Sequence, residues 1–67
     1  MMLNSKSDYL VALVRRGDEI VCMMYQDNLH TQFKGAVVVG RHNNSMSAFV
    51  AWRETAEKLG VRKERWI

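Results

Sequence analysis

The side chains of this chain that could do chemistry are few and widely spaced: Cys22, His30, His42, Asp27, and a pair of serines at Ser45 and Ser47. A metal centre needs several Cys, His, Asp or Glu at ligand spacing, and Cys22, Asp27, His30 and His42 form no such pattern. A nucleophilic cysteine needs a base beside it and a lowered pKa. Cys22 lies instead within Ile20 to Tyr25 (IVCMMY), an apolar run that pushes a thiol pKa up and suits packing as a small hydrophobe. The serines stand where a helical pattern begins and serve as caps. General acid/base work needs two carboxylates in a cleft, whereas the acidic residues are spread over turn and helix surfaces. The sequence therefore reads as non-enzymatic, with no cofactor and no metal.

Anion binding has more to work with. Gly40-Arg41-His42-Asn43-Asn44 precedes the helical pattern and supplies a glycine, two bases and a free helix N-terminus, which is either a weak anion site or an ordinary strand-to-helix loop. Ten Lys and Arg against seven Asp and Glu leave a formal charge of +3, and the sequence pI is about 9.4. That balance permits contact with nucleic acid or an acidic partner without requiring it. The candidate contacts are Arg15, Arg16 and Arg41, with a denser group at Lys58, Arg62, Lys63 and Arg65.

These residues must be positioned by a small set of elements. Tyr9 to Arg16 and Glu19 to Gln26 are rich in β-branched, aromatic and other apolar residues and read as strands joined by a two-residue Gly17-Asp18 turn. Such a turn fixes the register, opposing Arg16 to Glu19, Val14 to Val21, Ala12 to Met23 and Leu10 to Tyr25 on one face. Leu13 opposes Cys22 and Val11 opposes Met24 on the other. Gln26 to Gln32 (QDNLHTQ) reads as a polar loop in which Asp27 and Asn28 bond their own backbone, and Phe33 to Gly40 as a third strand weakened at Gly35. Ala48, Phe49, Trp52, Ala56 and Leu59 recur at three and four and predict an amphipathic helix over Ser45 to Leu59, with Asn44 or Ser45 as N-cap and Gly60 as C-cap. Val61 to Ile67 is a short tail whose Trp66 and Ile67 return to the sheet, pack beside the helix or offer a hook to a partner. The expected fold class is thus α+β: a small three-stranded antiparallel sheet followed by one helix (β-β-β-α), a single domain over residues 1–67 with a loose arm over 1–7.

A strand, then Val39-Gly40, then a helix with small residues at Ala48, Ala51 and Ala56 is similar in order of elements to the arm-binding domains of phage integrases. The likeness implies a nucleic-acid reader. The outer sheet face departs from it, carrying Val, Leu, Met and Cys where such a reader carries Arg and aromatic side chains.

The hairpin itself sets the main expectation. Both of its faces are apolar in the middle, and one helix covers one face. The spare face exposes a few hundred Å² of apolar surface, an amount typical of interaction sites, and burying roughly 500 Å² of it is worth on the order of 12 kcal/mol before the entropic costs of association. A chain of this size is marginal without disulfides, metal or association, and a single cysteine excludes an internal disulfide. The residues expected at an interface are Leu10, Val11, Leu13, Val14, Ile20, Val21, Met23, Met24 and Trp66. The corresponding function is that of a small protein-binding module, a homodimer or complex subunit acting through a sheet face or edge strand. Its style is that of the small inhibitors that phages and mobile elements direct at host complexes such as defence systems. The alternative is a basic nucleic-acid-binding accessory protein. A lone thiol fits a reducing compartment, Met1 to Lys6 lacks the apolar core of a signal peptide, and the longest apolar runs fall far short of a membrane span. A cytoplasmic protein without membrane contact is expected.

Overall fold

The computed structural model describes residues 8–66; the expected arm over 1–7, and Ile67, lie outside them. In chain order the elements are β1 (Tyr9–Arg16), β2 (Glu19–Gln26), a 3-10 helix (Asp27–Gln32), β3 (Val37–His42), α1 (Ser45–Leu59) and β4 (Arg62–Trp66). The four strands form one mixed sheet in the order β3-β1-β2-β4. The fold is α+β, but the three-stranded antiparallel sheet expected from the sequence is corrected to four strands, the fourth parallel to β2.

The hairpin has the expected register along its whole length, from Tyr9 opposite Gln26 to Arg16 opposite Glu19. Gly17 takes φ 64 at the turn, a left-handed value that a side chain would strain. The helix has its expected bounds as well. Asn44 Oδ1 accepts a hydrogen bond from the Ser47 amide at 2.9 Å, satisfying one of the orphan donors of the first turn. At the other end Gly60 (φ 69) donates to the Glu57 carbonyl and Val61 to that of Ala56, the paired bonds of a Schellman cap.

β3 begins later than expected, at Val37. Gly35 (φ 76) turns the chain, and Phe33, read as the first residue of the strand, leaves the sheet plane to stack on Tyr25 with ring centroids 4.5 Å apart. The segment before it, read as a polar turn-forming loop, is a 3-10 helix, and the Asp27 carboxylate accepts from Arg41. Opposite β1, the register of β3 shifts between Val11, which faces Gly40, and Ala12, which faces Val38. Val39 is the extra residue of that bulge.

β2, β3 and β4 all run opposite to β1, so both later connections are crossovers. The passage from β2 to β3 lays Leu29, Phe33 and Ala36 against Leu10, Ala12, Val14, Val21, Met23 and Tyr25. The passage from β3 to β4 lays α1 over Val11, Cys22 and Met24, through Ala48, Trp52 and Ala56. The apolar hairpin thus has a lid on each face. The face expected to stand open is closed by ten residues, Asp27 to Ala36, whose apolar content is only Leu29, Phe33 and Ala36. With both faces dry, a chain of this length encloses the central strands without a second copy, and burial of a Val, Leu or Met in them is worth about 1.5–3 kcal/mol each.

Candidate functional site

The residues expected at an interface do not share a surface. Leu10, Val11, Val14, Val21, Met23 and Met24 are buried in the two core clusters, and Leu13 packs half-buried beside α1. Two of the nine remain exposed, Ile20 at 44% and Trp66 at 46%. They sit apart: Ile20 follows the hairpin turn on the α1 face, and Trp66 lies at the far end of β4 with its ring edge-on to Phe33 at 5.3 Å.

The apolar surface that does remain is divided between α1, where Met46, Val50 and Leu59 are exposed, and a sheet edge. β3 and β4 are the two outer strands, and each presents a row of main-chain groups with no neighbour in the sheet. The two edges are built from opposite chemistry. β4 reads Arg62-Lys63-Glu64-Arg65-Trp66, charged at four successive positions, which is the usual protection against strand addition. β3 begins Val37-Val38-Val39, exposed at 60%, 40% and 49%. Val37 and Val38 alternate regularly opposite Leu13 and Ala12, Val39 is the bulged residue, and all three stay exposed, so neither face of β3 is covered over this stretch.

The cations divide by face. Because β4 pairs with β2 in parallel register, Arg62, Glu64 and Trp66 share the side of Val21, Met23 and Tyr25, and Lys63 and Arg65 share the α1 side with Cys22 and Met24. On the first side the charges are internally matched. Arg62 grips Glu19 with two hydrogen bonds of 3.2 Å and also meets Glu64, while Arg16 reaches Glu64 at 2.9 Å. The Arg62 guanidinium is held further toward its charged form, first by the hydrogen bond to Glu19. Arg41 bridges Asp8 and Asp27 at 3.1 and 3.4 Å. Three expected anion contacts, Arg16, Arg41 and Arg62, are therefore occupied by carboxylates of the same molecule.

On the α1 side the cations meet aromatic rings. Lys63 Nζ lies 5.5 Å from the Trp52 ring, and the Arg65 and Arg53 guanidinium carbons lie 5.8 and 5.9 Å from that of Phe49. Among the described residues none of the three forms an ion pair within 4 Å. Arg53 is not among the contacts expected from the sequence, because its proximity to Arg65 exists only once β4 lies beside α1. Lys58 is exposed on the outer helix surface, and Arg15 donates to the Gly17 carbonyl at the hairpin turn. Next to Arg65 a shallow depression of about 520 Å³ is floored by Tyr9, Met24 and Phe49 and rimmed by Ser45 and Met46.

The remaining candidates make contacts within the fold. Cys22 is fully buried, and burial pushes its thiol pKa up. The Trp52 indole donates to the Cys22 carbonyl at 2.9 Å. His30 Nδ1 shares a 2.9 Å hydrogen bond with the hydroxyl of Tyr25, whose pKa burial also raises. Among the described residues no group of three or more His, Cys, Asp or Glu could hold a metal ion, and no helix is long and apolar enough to cross a membrane. Asn44, at the end of the Gly40 to Asn44 loop, is the helix N-cap and accepts from the Ser47 amide, while Ser45 is the first helical residue.

Compared with family models, characterised proteins and solved structures, the chain matches none.

Proposed function

We propose that this chain is a small protein-binding module without catalytic activity, which acts by adding an extended segment of a partner protein to the β3 edge of its sheet. The observation behind the reading is the run Val37-Val38-Val39, exposed on an outer strand of a sheet whose other apolar residues are mostly enclosed. Strand addition draws affinity from main-chain hydrogen bonds and specificity from alternate side chains. A module of this kind acts as an inhibitor by occupying a strand that a larger complex needs, in the manner of phage-encoded proteins directed at host assemblies.

The size of the patch selects the occupant. Three part-exposed valines offer on the order of a few hundred Å², whereas a stable pair of globular copies needs about 1,000 Å² or more in total. A single extended strand needs far less.

The test is amide hydrogen exchange with and without a synthetic strand probe of alternating valine and threonine ended by glutamates. The expected result is new protection confined to β3 amides, absent in Val38→Lys. Protection elsewhere, or none, overturns the reading. So does a dimer at micromolar concentration by light scattering, which gives the edge to a second copy.

A further inference from the structure

The parallel register of β4 sorts its charges: those on the lid side, Arg62 and Glu64, are consumed in a network with Arg16 and Glu19, and those on the α1 side, Lys63 and Arg65, are not. Arg53 joins the second pair from the helix, so three cations from two elements line the seam between α1 and β4. The carboxylates on α1 itself, Glu54 and Glu57, are exposed, and neither lies within 4 Å of any of the three. Nowhere else among the described residues do three unpaired cations gather on aromatic rings.

We infer that this seam is a binding site for single-stranded nucleic acid, with Arg53, Lys63 and Arg65 on successive phosphates and a base in the depression floored by Tyr9, Met24 and Phe49. Its surroundings select that ligand. A row of cations tracks a phosphate backbone, and an apolar, aromatic-walled hollow beside it accepts an unstacked base. The hollow, of about 520 Å³, is roomy enough for a base, and Arg65 is among the residues that line it. A duplex keeps its bases stacked and has nothing to place there. An acidic peptide would satisfy the cations and leave the hollow without a planar occupant. The site lies on the edge of the sheet opposite β3, so it neither rests on the strand-docking reading nor competes with it.

The experiment is fluorescence anisotropy of a labelled single strand of a dozen mixed nucleotides at low ionic strength. Three contacts at about 0.7 of log-log slope each predict a salt slope of about −2. Lys63→Gln, Arg65→Gln and Arg53→Gln each weaken binding several-fold, and Phe49→Leu weakens it with little change in slope. Lys34→Gln, an exposed cation away from the seam, leaves affinity unchanged. Circular dichroism of each variant identifies any that fails to fold, and Arg53 and Lys63 lie on separate elements so that one loss does not remove the test. Absence of binding at low salt overturns the proposal. So does equal weakening by Lys34→Gln, or tighter binding of the matching duplex or of a glutamate-rich peptide.

Discussion

The indole nitrogen of Trp52 donates to the main-chain carbonyl of Cys22 at 2.9 Å, and the Cys22 sulfur lies 3.8 Å from the Trp52 carbonyl in return. One helix turn is thereby fastened to the centre of the sheet by main-chain and side-chain groups together. A buried donor such as the indole needs a partner, and here the partner belongs to β2, one of the two strands with neighbours on both sides. Trp52→Phe keeps most of the packing and removes the bond, so it should lower unfolding stability by about 1–3 kcal/mol in urea titrations. An unchanged midpoint would show that the contact contributes only shape.

The two lids make a symmetrical claim about the hairpin. Val11 packs under α1 and Val14 under the Asp27 to Ala36 crossover, and both are buried. Val11→Asp and Val14→Asp should each unfold the chain, since an unpaired carboxylate at either place is driven into a dry interior. Loss of the native far-ultraviolet dichroism in both is the expected outcome. A folded Val14→Asp variant would mean that the second face is open.

Phe33 is the anchor of the thinner lid, stacked on Tyr25 and met edge-on by Trp66. Truncating it leaves little else there, because Leu29 and Ala36 are only partly buried. Phe33→Ala should cost about 3–5 kcal/mol, the range for a buried aromatic, measured by chemical denaturation. A cost near zero would show that the crossover does not seal the face.

Cys22 and Tyr25 both carry acids pushed up by burial. In the folded chain each stays uncharged at a pH where the unfolded chain ionises. Their effect on stability is therefore absent below about pH 8.5, the ordinary thiol range, and grows as pH rises above it. Unfolding free energy should fall from neutral toward alkaline pH, and iodoacetamide should label Cys22 only as fast as the protein opens. Rapid labelling under native conditions would contradict the burial.

Parts of this architecture were written locally in the chain and parts were not. Gly17-Asp18 alone determined the hairpin register, because a two-residue turn leaves no freedom in pairing. Asn44 and Gly60 bounded the helix for the same reason: a cap acts on its own neighbours. β4 was legible only at its end, where a return of Trp66 to the sheet was one of three readings, because Arg62 to Arg65 has no apolar alternation. An outer strand in parallel pairing is held by its backbone, by the α1 connection and by Arg62 on Glu19, none of which leaves a periodic trace. The lid over the second face was hidden for a related reason. Its apolar residues are isolated among polar ones, and Phe33 was assigned to the strand it precedes. Of the expected sites, the sequence marked Lys63 and Arg65 but not their separation from Arg62, which follows from alternation in a strand whose extent it did not reveal.

The arrangement of two crossovers also has a history in time. A chain emerging from its N-terminus completes the hairpin at Gln26, acquires its first lid by Ala36, and finishes the helix that forms the second only at Leu59. Over that interval the α1 side of the hairpin, with Val11, Cys22 and Met24, is bare. The β2 edge stays unpaired until Arg62 to Trp66 arrives. Exposed apolar surface and open strand edges are what make folding intermediates aggregate. Each nascent molecule is therefore most vulnerable in the interval between the emergence of Ala36 and that of Trp66, before the segments that close it have arrived.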